Sequence, residues 1–555
     1  RARLLGWLDG TVWAAAGPPG EARLRDLGRV VAQVDRALAG LEHAALDRPY
    51  RWNLLQATAR RSALPLLAPP LRAFVADALD RLEGDVLPRL AALPAQAIHN
   101  DANDHNVLVE GERVVGLIDV GDVVRAPRVV GLAVAVAYAM LGATEPVRAA
   151  LPLVHGYHAE APLLPEELAL LHELALGRLA ISIANAAEQA RDAPANAAYL
   201  EISQAPIREA VARLADVPRA LATAAYRDAC GLVPHPATRE VVRFLQSAAC
   251  DPAPLLDDDP ALGAVVLDWS RTNPSPPRTA EEIAAHVAAA GGTVGVGRYR
   301  EERDVYRSDA FATAAADGER RTVHLGIDLF TPAGGAVRAP LDAVVEEAAY
   351  RPDAYDYGGV VLLRHETDRG VPFWLLVGHL DRASVDALAP GQAIARGEAF
   401  ARVGAEHENG GWPPHPHVQL VCDPLGVGTA LPGVVRRSEV DVWESICPDP
   451  NLLLRLPGAP EAAPVRDAAA ILRRRRANVS PALSLSYAEP LAIVGGSGAH
   501  LVDADGRRWL DLVNNVCHVG HAHPRVVAAL ASTRCSSSTH AASSPRCPIR
   551  SRCCS

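Results

Sequence analysis

The amino-acid sequence predicts a multidomain chain in which a mainly α unit is followed by an all-β unit and then by the truncated start of an α/β unit. The chain has 555 residues, several times the usual size of a domain, so one hydrophobic core is not expected. From about residue 26 to 245, apolar residues recur at three- and four-residue steps, as in helices that bury one face. From about residue 291 to 425 the pattern alternates with a period of two, with Gly or Pro between short runs, which is typical of strands.

Composition limits the classes of partner. Hydrophobic residues make up 49% of the chain and charged residues 22%, and no apolar stretch approaches the ~20 residues that span a bilayer. A net charge of -10 gives no basic footprint, so we expect small-molecule substrates and neither nucleic acid nor a membrane as partner. The sequence contains no lysine, which excludes a phosphate-binding lysine or a lysine Schiff base within this chain.

The pattern along the chain predicts domain boundaries. A stretch rich in Pro and Asp is typical of a linker, and a tail rich in Ser and Cys follows the last apolar pattern. The nine cysteines otherwise occur singly, which favours reduced thiols and a cytoplasmic location. We expect a first unit at 1–250, a linker at 251–284, a β unit at 285–455, a linker at 456–475, a third segment at 476–531, and a disordered or frame-shifted tail at 532–555.

One polar stretch interrupts the predicted helices of the first unit. In HNDANDHNVLV, His99, Asp101 and Asn106 match the pattern HxDxxxxN, and IDVGD places Asp119 at the end of the following strand. Phosphoryl transfer needs a carboxylate that orients and deprotonates the attacking hydroxyl, and oxygen ligands for magnesium on the phosphates. Asp101 fits the first role, and Asn106 with Asp119 fits the second, holding magnesium-ATP. The alternative is a polar loop between two strands.

Four histidines and one aspartate recur in the predicted β unit: His324, Asp328, His379, His415 and His417. Side chains at i, i+2 and i+4 of a strand share one face, so we expect His324 to point with Asp328, and His415 with His417. Two imidazoles and one carboxylate, with water in the fourth position, make a catalytic zinc site. The remaining histidines are then free for proton transfer. A single strand histidine is more often an ordinary buried or surface residue, so the prediction depends on all five residues together.

With these motifs, residues 1–245 resemble the aminoglycoside phosphotransferase and choline kinase-like family, and particularly its amino-alcohol kinases such as hydroxylysine kinase. The resemblance implies the mainly α C-lobe of a protein-kinase-like fold. RLLGWLDG looks like the hinge that leaves the upper lobe, so we expect the Gly-rich loop and the ATP-contacting lysine of the family to precede Arg1. We therefore expect this chain, as a fragment of a longer reading frame, to bind ATP poorly.

Residues 291–425, through HLGIDLF, VGHL and HPHVQL, look like the lysostaphin and LytM-like zinc metallopeptidases, which are all-β domains. The resemblance implies that His324, Asp328 and His417 hold the zinc, and that His379 and His415 activate water and steady the oxyanion. Members of this family usually cut peptidoglycan cross-bridges outside the cytoplasm, whereas the neighbours here are metabolic modules, so the resemblance does not carry the substrate over to this chain.

The third segment, with GAHLVDADGRRWLDLVNNVCHVGHAH, resembles the N-terminal region of class III aminotransferases, closest to the alanine–glyoxylate aminotransferase-like and phospho-lyase branch. The resemblance implies that pyridoxal phosphate is a cofactor of the full-length parent protein only. It also implies a possible homodimer of that parent, formed through this segment. A zinc site at Cys517, His518, His521 and His523 is the alternative interpretation.

These observations predict a fragment of a bacterial multifunctional metabolic enzyme. It combines small-molecule phosphotransfer, a zinc-dependent peptidase-like domain and a pyridoxal-phosphate aminotransferase or phospho-lyase. The alternative is a non-catalytic binding scaffold whose β unit holds a structural metal. His379 and His415 favour the enzyme, because a structural site has no need of extra proton-transfer groups.

Overall fold

A computed structural model describes most of the chain in two compact units. The first unit comprises residues 1–233 and 466–555, and the second comprises residues 234–465. The described residues are 6–457, without 258, 271, 272, 274, 314, 316 and 317 and with backbone only at 196–203, and then 491, 493–497, 499–503, 508–511, 521, 523 and 526.

The first unit is mainly helical, as predicted. A 3₁₀ segment, Leu54–Leu66, lies among the helices. The helices are α1 (Glu21–Leu38), α2 (Pro69–Arg81), α3 (Leu87–Leu90), α4 (Arg128–Ala139), α5 (Pro146–Glu160), α6 (Pro165–Asp192), α7 (Ala197–Leu214) and α8 (Arg219–Ala229). The strands are β1 (Thr11–Val12), β2 (Ala95–Ile98), β3 (Val107–Glu110), β4 (Arg113–Leu117) and β5 (Val124–Pro127), in sheets ordered β1-β3-β4 and β2-β5.

The local sequence explains the position of the predicted phosphotransfer loop. Antiparallel β3 and β4 form the predicted hairpin, with Gly111 in its turn at a positive φ of 59° that suits glycine. The loop that carries Asp101 joins β2 to β3, and β2 pairs with β5. α4, which is rich in Val and Ala, is buried on nearly every side, so the loop rests on a packed helical core.

The second unit is built on one large sheet. Its helices are α9 (Thr238–Gln246), α10 (Pro260–Gly263), α11 (Ala280–Ala289), α12 (Arg382–Asp386), α13 (Val440–Ile446) and α14 (Asn451–Leu454). Its strands are β6 (Ala264–Leu267), β7 (Val294–Gly297), β8 (Arg321–His324), β9 (Ile327–Phe330), β10 (Ala336–Arg338), β11 (Ala343–Arg351), β12 (Gly358–Glu366), β13 (Pro372–Leu380), β14 (Ala393–Ile394), β15 (Ala399–Arg402), β16 (His417–Val421) and β17 (Val434–Arg436). The eight-stranded sheet has the order β14-β11-β12-β13-β16-β9-β7-β6, while β8 pairs with β17 and β10 with β15.

Two sequence expectations about this unit need correction. The predicted linker at 251–284 contains β6, which pairs in parallel with β7 and is joined to it through α11, so the unit is mostly sheet and not all-β. The unit begins at residue 234, because residues preceding and within α9 bond to Ser445 of the same unit, whereas the sequence pattern predicted a first unit ending at 250 and a β unit beginning at 285. The Ser445 hydroxyl accepts from the backbone amide of His235 at 2.8 Å and lies 3.0 Å from the hydroxyl of Thr238. Pro and Asp bracket a single strand here and resemble a linker only in composition.

The C-terminal segment contains a small antiparallel sheet with strands β18 (Ile493–Ser497), β19 (His500–Asp503) and β20 (Arg508–Leu510). Cys517 and His518, most of the predicted linker at 456–475 and the predicted tail at 532–555 lie outside the described residues. Among the helices that the structure describes, none is long and apolar enough to cross a membrane.

The close crossing of α1 and α5 yields a prediction about stability. A Cβ added at Gly28 would lie 2.0 Å from the backbone oxygen of Leu153, and overpacking of this kind costs about 1–3 kcal/mol or more. We expect Gly28→Ala to lower the free energy of unfolding by at least this amount in chemical denaturation. Gly84→Ala is the matched control, because a Cβ there meets no atom within 4 Å and alanine favours a helical segment. Equal destabilisation by both changes would contradict the packing argument.

Candidate active sites

Asp101 is held by three side-chain donors in the loop after β2. Its Oδ2 accepts from Nδ2 of Asn103 at 3.0 Å and from Nδ2 of Asn106 at 2.7 Å. Its Oδ1 accepts from Nη2 of Arg178 at 2.5 Å. Burial raises the pKa of Asp101, whereas the Arg178 guanidinium opposes this rise. The carboxylate is therefore fixed in one orientation, as a group that receives a proton from a bound hydroxyl must be.

Arg178 was not predicted from the sequence. It comes from α6, is buried, and stacks over the ring of Trp52, 4.6 Å from its centre, with the Tyr138 ring at 5.8 Å. A buried guanidinium with one carboxylate partner and two aromatic faces is both neutralised and held in place. The signal was a lone charge in the apolar helical stretch LALGRLAIS, but its partner could not be read from that stretch.

The other residues of the predicted phosphotransfer site lie around the same loop. Asn106 uses its amide nitrogen on Asp101, which leaves its amide oxygen for a cation. Asp119 is exposed, has a left-handed φ of 62°, and accepts from the amide of Gly121. His99 accepts from the Asp101 amide through Nδ1 and donates from Nε2 to the carbonyl of Ile118, which fixes its tautomer. The structure thus brings Asp101, Asn106 and His99 into contact, and it places Asp119 directly after the residue that His99 holds.

The predicted zinc ligands come from three different strands. His324 ends β8, Asp328 lies in β9 and His417 begins β16. The expectation that His324 and Asp328 share a face of one strand is wrong, because Leu325 and Gly326 interrupt the strand. His417 instead lies directly opposite Asp328 in the antiparallel pair of β9 and β16, and His415 precedes that strand.

Gly326 makes room for the second histidine. A Cβ at this position would lie 2.3 Å from Cε1 and 2.6 Å from Nε2 of His417. The break after β8 therefore does two things: it turns the chain so that His324 and Asp328 converge, and it leaves space for the imidazole.

Hydrogen bonds at the outer nitrogens decide the tautomers of both imidazoles. The carbonyl of Arg298 lies 3.0 Å from Nδ1 of His324, so this nitrogen carries the proton. The amide of Gln419 donates to Pro432 and to the sulfur of Cys447, which turns its oxygen toward Nε2 of His417 at 3.1 Å. His417 therefore carries its proton on Nε2.

The inner atoms of this cluster are then three acceptors with no proton between them. Nε2 of His324 lies 3.0 Å from Nδ1 of His417, and these nitrogens lie 3.2 Å and 3.0 Å from Oδ1 of Asp328. Burial lowers the pKa of His324 to about 4, which favours the neutral ring. Lone pairs this close repel one another unless a cation lies among them.

A zinc ion fits this donor set. Bonds of about 2.0–2.1 Å in a tetrahedral site separate neighbouring ligand atoms by about 3.3 Å, close to the separations of 3.0–3.2 Å found here. Among the described residues, these three form the group that can hold a metal through one atom each. Both histidines also form a hydrogen bond through their outer ring nitrogen, of the kind that orients metal-binding histidines.

Asp328 is oriented from behind by an arginine that the sequence analysis missed. Arg303 is buried, donates from Nη1 to Oδ2 of Asp328 at 2.7 Å and from Nε to Glu301 at 2.9 Å, and lies over the Trp269 ring. Burial opposes ionisation of Asp328, but His324 and Arg303 hold the pKa of its carboxyl well below the usual value. One oxygen thus remains for the metal. The polar stretch YREERDVY gave no sign that one of its charges is buried.

His379 and His415 present unprotonated nitrogens beside the cluster. His379 uses Nδ1 on the carbonyl of Asn409 at 2.8 Å, and His415 uses Nδ1 on that of Pro413 at 2.6 Å. Nε2 of His415 lies 3.6 Å from Oδ1 of Asp328. The ring centres of His379 and His415 are 4.4 Å apart. Burial lowers the pKa of both imidazoles. The φ of His379 is 62°, a strained conformation that is frequent at functional sites.

Comparisons with known proteins find a separate family match in each of the two units. Residues 1–171 match the model of the phosphotransferase enzyme family, and residues 322–424 match that of peptidase family M23. The mouse (Mus musculus) protein named hydroxylysine kinase is 28% identical over 195 residues, which cover 33% of this chain and 52% of the relative. A Drosophila melanogaster protein named alanine–glyoxylate aminotransferase 2-like is 46% identical over 59 residues, covering 10% of this chain and 12% of the relative.

A solved structure of a zinc-containing peptidase from Vibrio cholerae is 24% identical, covering 22% of this chain and 36% of that protein, with a TM-score of 0.16. The chain spans about half the length of the kinase relative and about an eighth of the aminotransferase-like one. Separate stretches of the chain are thus similar to the phosphotransferase enzyme family, to peptidase family M23 and, over a short segment, to an aminotransferase-like protein.

Proposed function

We propose that the second unit is a zinc-dependent hydrolase of amide bonds within a multifunctional metabolic enzyme. The observation that carries this proposal is the convergence of three acceptor atoms from His324, Asp328 and His417, in a region that matches peptidase family M23. A bound zinc ion lowers the pKa of a coordinated water and polarises a carbonyl. Three protein ligands leave a position open for that chemistry.

His379 and His415 supply the proton transfers in this proposal. Both are neutral because burial lowers their pKa, so one accepts the proton of the attacking water through Nε2. The imidazolium formed in this way donates a hydrogen bond to the oxyanion, and its proton then passes to the leaving amine. The second histidine accepts the remaining proton of the attacking water as the carboxylate product forms. Their Nδ1 protons, which bond to backbone carbonyls, keep Nε2 directed at the site.

The alternative is a binding scaffold with a closed structural metal, and the histidines distinguish the two. We expect His417→Ala to lose zinc from the full chain in metal analysis after dialysis against a chelator. His415→Ala should keep about one equivalent of zinc but lose at least a hundredfold in the hydrolysis of a quenched-fluorescence peptide library. His407→Ala, which removes an exposed histidine of the same unit, is the control and should change neither. Equal zinc loss from His415→Ala and His417→Ala would favour the closed structural site.

We propose further that the first unit transfers phosphate to a small amino alcohol. The matched phosphotransferase model and the carboxylate of Asp101, fixed by three donors, support this. Asn106 and Asp119 would hold magnesium-ATP through their free oxygens. Asp101 would receive the proton of the substrate hydroxyl, and Arg178 would keep the carboxylate in position. The aminotransferase-like segment would belong to a pyridoxal-phosphate module that acts on the product.

The phosphotransfer proposal can be tested with hydroxylysine and magnesium-ATP, followed by phosphorus NMR. We expect little transfer by this chain and restored transfer by a chimera that adds the part of a hydroxylysine kinase it does not span. Asp101→Asn should then reduce transfer by about 10²–10⁴-fold. Asp104→Asn, in the same loop, is the matched control. Undiminished transfer by the Asp101→Asn chimera would refute the assigned role.

A cytoplasmic location is part of the proposal. The described cysteines Cys230, Cys250, Cys422 and Cys447 are free and buried, which suits a reducing compartment. Small molecules are the proposed partners of all three modules.

A further inference from the structure

A cleft of about 320 Å³ opens beside the candidate zinc site in the second unit. Its wall includes the two proton-transfer histidines and the three zinc-binding residues, and also two arginines that the proposed chemistry does not use, Arg321 and Arg351. A cleft next to a hydrolytic centre holds the substrate. Charged groups in its wall that lack a partner of opposite charge therefore indicate what the substrate carries.

Arg321 lies at the start of β8 and is half-buried. Its Nη2 donates to the carbonyl of Ala310, and its guanidinium carbon lies 5.7 Å from the centre of the Phe311 ring. Within the part of the chain that the structure describes, no carboxylate forms an ion pair with it. Burial lowers the pKa of Arg321, while Tyr357 and Asp356 oppose this lowering, so its charge is partly removed from water with no direct ion pair.

Arg351 ends β11 and is also half-buried. Its Nη2 donates to the hydroxyl of Thr429 at 3.3 Å, and its Nε is buried with no hydrogen-bond partner. Again, no described carboxylate lies within ion-pair distance. By contrast, the buried Arg303 of the same cleft is paired with Asp328 and Glu301. Burying a donor without a partner is costly, and an incoming acceptor removes that cost.

Tyr357 lines the same cleft as both arginines. The Tyr357 ring centre is 5.5 Å from that of His417 and 5.8 Å from that of His379. The two guanidinium groups, which have no carboxylate partner among the described residues, thus line the same cleft as the residues proposed to bind zinc and to move protons.

We propose that Arg321 and Arg351 form a carboxylate-binding subsite, so that the second unit acts on a peptide or acyl-amino acid with a free carboxylate near the amide to be cut. This rests on the proposed function of the unit. A guanidinium fork matches a carboxylate in shape and in hydrogen bonding. Asp353 and Asp356 also line the cleft, and their charge disfavours a doubly charged phosphate more than a singly charged carboxylate.

The test compares N-acetylglycylglycine with its C-terminal amide, which differ only in the carboxylate. Both are titrated calorimetrically into the full chain carrying His415→Ala, so that the probes survive, and their recovery is checked by chromatography. We expect the acid to bind at least tenfold more tightly than the amide. Arg321→Gln and Arg351→Gln should each reduce that preference to about twofold or less while leaving amide binding unchanged. Arg402→Gln, at an exposed arginine of the same unit, is the matched control.

Zinc itself attracts carboxylates, so every titration is repeated on chelator-treated protein. The preference for the acid over the amide should persist in the chelator-treated protein, because the arginines bind the carboxylate without the metal. Equal binding of acid and amide by the chelator-treated protein would overturn the subsite. A preference for the acid that survives when Arg321→Gln and Arg351→Gln are combined in one chain would overturn it as well. Tighter binding of inorganic phosphate than of the acid would overturn the carboxylate assignment. Zinc content, measured on the untreated samples, separately reports failure of the proposed function, and thermal melts confirm that the variants are folded.

Discussion

The second unit depends on one electrostatic constraint: three lone pairs meet at a buried point where no proton can satisfy them. His324, His417 and Asp328 are each held from outside, by the Arg298 carbonyl, by Gln419 and by Arg303 respectively. Because these outer bonds fix the tautomers and the carboxylate orientation, the inner atoms cannot turn away from each other. A cation bound among them would relieve the repulsion, and its binding energy would then stabilise the fold as well as the site.

The sheet is what brings these atoms together. Asp328 and His417 are cross-strand neighbours, and Gly378, next to His379, is the partner of His417 on its other side. A one-residue slip of register would turn every one of these side chains to the opposite face. The site therefore depends on the pairing of β9, β16 and β13, and residues in the surrounding loops contribute less to its geometry.

The sequence was informative where chemistry and spacing are local. The pattern HxDxxxxN and the recurring His and Asp residues of the second unit could be picked out as candidates. Gln419 could have been added to them, because it lies two residues beyond His417 in one strand. The reasoning failed where the tertiary fold intervenes. The turn at Gly326 replaces the expected single strand, and a Pro- and Asp-rich stretch hides β6. Arg178 and Arg303 are buried by partners far away in sequence, which no local pattern reveals.

X-ray absorption spectroscopy of the full chain loaded with one equivalent of zinc tests the proposed ligands most directly. We expect a shell of nitrogen and oxygen only, at about 2.0–2.2 Å, with two imidazoles. A sulfur ligand near 2.3 Å, as Cys447 would provide, or a shell of three or four imidazoles would contradict it.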